Sequence, residues 1–274
     1  AKLAGAYLAK TKGRGMEFDE ARHYQPGDDI RAIDWRVTAR TGKTHTKLYR
    51  EEKERPVFVL TDLSSSMQFG TQLMFKSVQA AHLSSLIAWA ARKRGDRIGG
   101  LVFNQHQHIE SKPFTRQKAV LSLLNNMLKV QQQTITGEEP KVTLADACAR
   151  VRRLAHPGSL IFILSDFSQL DELTKQHLAQ LSKHCEVIAY PISDPFEHAL
   201  PKVKMNQRVS LSDGKNRQQI VLGEKQVEQA YSQQHKTYFE SIHHTLKQCK
   251  VQVVEISAGL PLQTQLEGFP RSRK

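Results

Sequence analysis

From Pro56 onward, short apolar runs alternate with amphipathic segments, and this alternation restricts the fold more than any other feature of the chain. PVFVLTD (56–62) and SLIFILSDF (159–167) are apolar at consecutive positions, as a strand covered on both faces must be. The segments between such runs repeat their apolar residues at helical spacing. The spacing predicts helices over 75–95, stopped by Gly95, and over 116–133, 143–155, 170–184 and 223–249. Further strands are expected at 96–104, 105–113, 185–195 and 251–257, with a hairpin at 207–222 turning on SDGKN. Strands alternating with helices make βαβ units, so the expected fold class is α/β, with a doubly wound, mostly parallel sheet of Rossmann type.

Three stretches follow from this pattern. Residues 56–260 form the main domain, with a hairpin insertion around 203–222, and residues 261–274 a tail. Residues 1–55 are rich in charge and turns and too few to bury a core, so they are expected to form an extension docked on the main domain. Within the extension, 30–52 reads as a hairpin turning at TGK.

Composition sets outer limits. A formal charge of +13 favours acidic partners or simply a well solvated exterior. No run of five like charges occurs, and no basic stretch is interleaved with aromatics, so nucleic acid is not the expected partner. Cys148, Cys185 and Cys249 are far apart and form no CxxC pair, which argues against a zinc knuckle or a disulfide framework and fits a reducing compartment. The longest apolar runs, such as LIFIL at 160–164, are far shorter than the ~18 residues needed to span a bilayer. The chain starts without the apolar core of a signal peptide, and a cytoplasmic location is expected.

The stretch FVLTDLSSSMQFG (58–70) carries the chemistry. Doubly wound sheets bind ligands at the carboxyl ends of their strands, where the strand order reverses. Asp62 and Asp166 each end a strongly apolar strand, and a loop behind Asp62 can turn Ser64 and Ser66 back toward the same rim. Two carboxylates and two hydroxyls are hard ligands, suited to Mg²⁺, and also to Mn²⁺ or Ca²⁺. The bland alternative is a polar turn capping the following helix.

Asp62-Leu-Ser64-Ser-Ser66 with a later strand-end Asp166 resembles the metal-ion-dependent adhesion site of von Willebrand factor A-like domains. The string GRGMEFDEARHYQPGDDIRAIDWRVTARTGK (13–43) resembles the signature of the bacterial domain-of-unknown-function family 58, whose members carry such a domain and are often encoded beside MoxR-type AAA+ ATPases. The resemblance implies that Ser64 and Ser66 ligate the metal directly, and that Asp62 and Asp166 act directly or through waters. It implies a cation left poorly neutralised, which draws in an Asp or Glu carboxylate from a protein partner. The family pattern also has a threonine ligand before the third helix. Here Val142 stands at that place and Thr143 comes one residue late, so Thr143 is either a fifth ligand or the cap of that helix, with Asp146 at capping-box spacing.

The sequence holds no GxSxG elbow, no GxxxxGK[ST] loop and no GxGxxG behind a strand, so it is not expected to be an enzyme. The expected function is a Mg²⁺-dependent protein-binding module, acting as adaptor for a MoxR-type ATPase in remodelling or maturing a client. The alternatives are a metal-dependent phosphoester hydrolase using the same aspartates, or the same fold with a vestigial metal site and a nucleic-acid-binding basic surface.

Overall fold

Val57, Phe58, Val59 and Leu60 are all fully buried, and successive side chains enter opposite cores, because a strand points its residues alternately to its two faces. The strand they form, β3 (Pro56–Asp62), is central in a sheet covered on both sides. The computed structural model describes residues 16–51, 54–115, 117–132, 141–203, 206–212 and 217–267.

Ahead of β3 lie β1 (Met16–His23), α1 (Trp35–Thr41) and β2 (His45–Glu51). After it come α2 (Lys76–Arg94), β4 (Arg97–Phe103), β5 (His108–Phe114), α3 (Gln117–Gln131) and α4 (Leu144–Leu154). Then follow β6 (Leu160–Ser165), α5 (Glu172–Leu181), β7 (Glu186–Ser193) and a single turn, α6 (Pro195–His198). The chain continues through β8 (Gln207–Ser212), β9 (Arg217–Leu222), α7 (Lys225–Gln248), β10 (Gln252–Val253), β11 (Ile256–Ser257) and α8 (Leu262–Glu267).

The main sheet runs β10-β7-β6-β3-β4-β5, with β11 also paired to β7. Among the described strands of this sheet only β5 is antiparallel to its neighbour, as the edge partner of β4. From β3 the chain moves outward to β4 and β5, then returns to β6 on the other side of β3 and moves outward to β7. The reversal therefore falls between β3 and β6, the place where doubly wound sheets open a crevice. On one face, Val57, Val59, Phe162 and Leu164 pack with Leu83 and Ile87 of α2 and Leu123 and Met127 of α3. On the other, Phe58, Leu60, Ile161 and Ile163 pack with Cys148 and Val151 of α4, Leu178 of α5, and Ile242 and Leu246 of α7. Each such side chain contributes about 1.5–3 kcal/mol by leaving water. The expected α/β class and mostly parallel sheet hold.

Three expectations need correction. The segment 30–52 is not a hairpin: Asp34 accepts the backbone N–H of Arg36 and Val37, Gly42 ends the helix with φ 70, and α1 forms where a strand was expected. The antiparallel partner of β2 is instead β1, earlier in the chain. The strand expected over 251–257 is split into β10 and β11, both parallel to β7. The tail expected from 261 begins with α8, whose Leu262 and Leu266 are buried in the first core, so the main unit continues through it. Residues 213–216 of the SDGKN turn and residues 268–274 of the expected tail lie outside the described residues.

Candidate metal centre at the sheet rim

Asp62 is buried at the end of β3, and one of its carboxylate oxygens, Oδ1, accepts the Ser64 backbone N–H at 2.9 Å. This local turn folds the serines back over the strand end, and the fully buried Met67 anchors the loop from below. On the neighbouring strand, Ser165 donates its hydroxyl to the other oxygen of Asp62 at 2.6 Å. Asp166 follows, and its Oδ1 accepts the Ser168 N–H at 2.9 Å. Ser168 Oγ donates to Ser66 Oγ at 3.2 Å, and Ser66 Oγ lies 3.3 Å from Ser64 Oγ. Asp62, Ser64, Ser66 and Asp166 thus meet in one hydrogen-bonded cluster across the switch point. Between Asp166 and Ser168, Phe167 is held at φ 55 with its ring buried, a conformation unfavourable for a bulky residue.

The electrostatics of the two carboxyls differ. Burial, then the charge of Asp166, pushes Asp62 up to about 6, against the hydrogen bonds from Ser165 and Ser64. Burial acts the same way on Asp166, but the Lys76 ammonium and the Ser168 N–H outweigh it and hold that carboxyl below the usual range. Lys76 is 2% exposed and bonds Asp166 Oδ2 at 2.9 Å and Glu197 Oε1 at 2.7 Å. Burial opposes its charge, but the two carboxylates prevail and raise its pKa.

A third strand end completes the rim. Asp194, fully buried after β7, accepts the Thr71 N–H at 2.9 Å and the Thr71 hydroxyl, tying the loop behind the serines to β7. Glu197 closes a capping box by accepting the Asp194 N–H at 2.8 Å. Neither residue was among those singled out by sequence, although the strand-end rule that flagged Asp62 and Asp166 applies equally to ISDP, and Asp-Pro-x-Glu is a helix-start signature. Lys76, Ser165 and Ser168 carry no such signal.

Thr143 lies apart from the cluster. Its hydroxyl accepts the Asp146 N–H at 3.2 Å and its backbone N–H donates to Asp146 Oδ2 at 3.0 Å, a complete capping box at the start of α4, and the hydroxyl also donates to Asp146 Oδ2 at 2.8 Å. None of its hydrogen bonds among the described residues reaches Asp62, Ser64, Ser66 or Asp166. Val142 packs against the second core, which gives an apolar residue its place there.

The oxygens of Asp62, Ser64, Ser66 and Asp166 suit a hard cation, and Asp62 has no cationic side chain of its own among the described residues to relieve its charge. The thiols offer no competing soft site. Burial raises Cys185 and Cys249 and pushes Cys148 up to about 12, so all three stay protonated near neutrality. In the stretch of chain that follows the serines into α2, Phe69, Leu73, Phe75 and Val78 are exposed. Beside them a groove of about 390 Å³ between α2 and α3 is lined by Leu63, Val78, Ala81, Leu124, Met127 and Leu128. No helix among the described residues is long and apolar enough to cross a membrane.

Residues 20–239 match the family described as "Protein of unknown function DUF58". The chain is 30% identical over 203 residues to the uncharacterized protein Rv1480 of Mycobacterium tuberculosis, an alignment covering 73% of this chain and 62% of the relative. The alignment thus spans less than two thirds of that protein's length. Among solved structures, the conserved hypothetical protein BatB of Bacteroides thetaiotaomicron aligns with a TM-score of 0.46 at 12% identity, over 77% of this chain and 93% of that one. The VWA domain of SpRpn10 aligns with a TM-score of 0.39 at 11% identity, over 78% and 94%.

Proposed function

The chain belongs to the DUF58 family, and from that premise we propose that it is a metal-dependent protein-binding module that offers a cation at its sheet rim to an acidic side chain of a partner. The observation that carries this reading is the single oxygen cluster joining Asp62, Ser64 and Ser66 to Asp166 across the switch point of a von Willebrand factor A-like sheet. Asp62, Ser64 and Ser66 would hold the cation, with Asp166 acting directly or through water. A bound Mg²⁺ keeps coordination positions that water or an outside Asp or Glu carboxylate can fill.

One such bond gives little affinity without surrounding contacts. The exposed Phe69, Leu73, Phe75 and Val78, with the apolar groove beside them, supply a surface of the kind protein partners bury. The partner class proposed is a MoxR-type AAA+ ATPase or its client, with this chain as adaptor; that step rests on the resemblance of the N-terminal string and the serine motif alone. In this reading the protein acts by binding, not by turnover.

The test is retention of proteins from a native extract on the immobilised chain, in Mg²⁺ and in chelator, scored for a MoxR-type ATPase. Retention in Mg²⁺ only, lost in Asp62→Ala, is the expected result. Equal retention in both conditions would falsify the metal-gated reading, and phosphoester turnover abolished by Ser64→Ala would replace it with a hydrolase.

A further inference from the structure

Lysine is a poor choice for the first residue of a helix, because the helix dipole places partial positive charge there. Lys76 nevertheless opens α2, and its side chain is buried at 2% exposure. Two anions account for its position: Asp166 Oδ2 at 2.9 Å and Glu197 Oε1 at 2.7 Å, one after β6 and the other in the turn after β7. No such partner is found for Asp62 among the described residues; its two oxygens accept only from Ser64 and Ser165.

Resting on the cation reading above, we propose that Lys76 is a tethered counter-charge that decides how this rim holds a divalent ion. Its ammonium neutralises Asp166, so Asp62 is left as the one carboxylate of the serine cluster available to offset the ion's charge. Glu197 shares the ammonium, and the strength of that sharing sets how completely Asp166 is neutralised. A metal in such a site is bound weakly by the protein alone and gains strongly from an outside carboxylate. Lys76 acts through Asp166 and is a positioning residue with no contact to the partner.

Two substitutions should act in opposite directions. Lys76→Met frees the charge of Asp166 and should tighten Mn²⁺ binding at least tenfold, while weakening the further tightening that acetate gives the wild type. Glu197→Gln leaves Lys76 to Asp166 alone and should loosen Mn²⁺ binding several-fold. Both are read from the free Mn²⁺ signal in electron paramagnetic resonance, with near-ultraviolet circular dichroism as the check on folding. A role in stability alone would not produce opposite signs. The inference is overturned if folded Lys76→Met binds Mn²⁺ no more tightly than wild type. Should that variant fail to fold, Glu197→Gln decides, and unchanged or tighter binding there overturns it. Wild type that binds Mn²⁺ alongside variants that do not differ from it sinks this inference and spares the cation reading. Absence of Mn²⁺ binding in the wild type and both variants sinks the two together.

Discussion

The two ends of the main sheet are both polar, and they treat charge in opposite ways. At the amino end, Arg55 donates to Gly158 O at 2.7 Å and to Glu186 Oε2 at 3.1 Å, its backbone N–H reaches Asp96 Oδ1 at 3.2 Å, and Arg94 sits 3.3 Å from the other Asp96 oxygen. Glu186 and Asp96 each have an arginine, although burial still raises Asp96. At the carboxyl end, among the described residues, Lys76 pairs with Asp166 and Glu197, and Asp62 accepts only from Ser64 and Ser165. The amino end closes its charges and ties β3, β6 and β7 together. The carboxyl end leaves negative charge in excess, unfavourable for folding but useful for attracting a cation.

That contrast can be broken by measurement. The largest expected effect comes from Asp62. Its folded pKa of about 6 lies above the ordinary 3.8, so between about pH 4 and 6 the folded state keeps a proton that the unfolded chain has lost. Stability in chelator should therefore fall by about 3 kcal/mol as pH rises through that window. Asp166, held low by Lys76, acts in the opposite sense and only below about pH 4. In Asp62→Asn the fall should vanish, leaving the variant more stable than wild type at pH 7 in chelator. Urea unfolding across this range measures it, and a flat wild-type profile would remove the excess charge on which the contrast rests.

Arg55→Ala probes the other end. It strands Glu186, whose side chain is 18% exposed, and should cost about 2 kcal/mol by urea unfolding while leaving Mn²⁺ binding unchanged. A loss of metal affinity without a loss of stability would show that the two ends are not separate. The smallest effect is expected of Thr143→Ala, about 1 kcal/mol from the lost cap, with no change in Mn²⁺ affinity. A tenfold loss of affinity there would make Thr143 a ligand as well as a cap.

Much of the fold was legible because its signals are local. Gly95, with φ 90, ends α2 where the sequence put its stop, and the apolar runs at 56–62 and 159–167 became the two strands flanking the switch point. Asp62, Ser64, Ser66 and Asp166 were legible for the same reason: each sits at or just behind a strand end, and strand ends of a parallel sheet share a rim. The errors came where local signals compete. Residues 30–42 carry both strand-like alternation and an Asp–Gly pair that starts and stops a helix, and the capping hydrogen bonds of Asp34 prevailed. Thr143 shows the converse, since its hydroxyl is satisfied three residues away by Asp146 and has no need of the rim.

By itself, the sequence determined the layers, the order of strands and helices from β3 to β7, and the oxygen-bearing residues behind β3 and β6, because each depends on hydrophobic period and on neighbours within a turn. Only the tertiary structure decided that Lys76 is buried between Asp166 and Glu197, that Ser165 bridges to Asp62, and that Asp194 holds Thr71. These pairs are separated by 90, 121, 103 and 123 residues. No periodicity within a single segment can foresee which distant charges will share a cavity, and that pairing sets the charge balance at the rim.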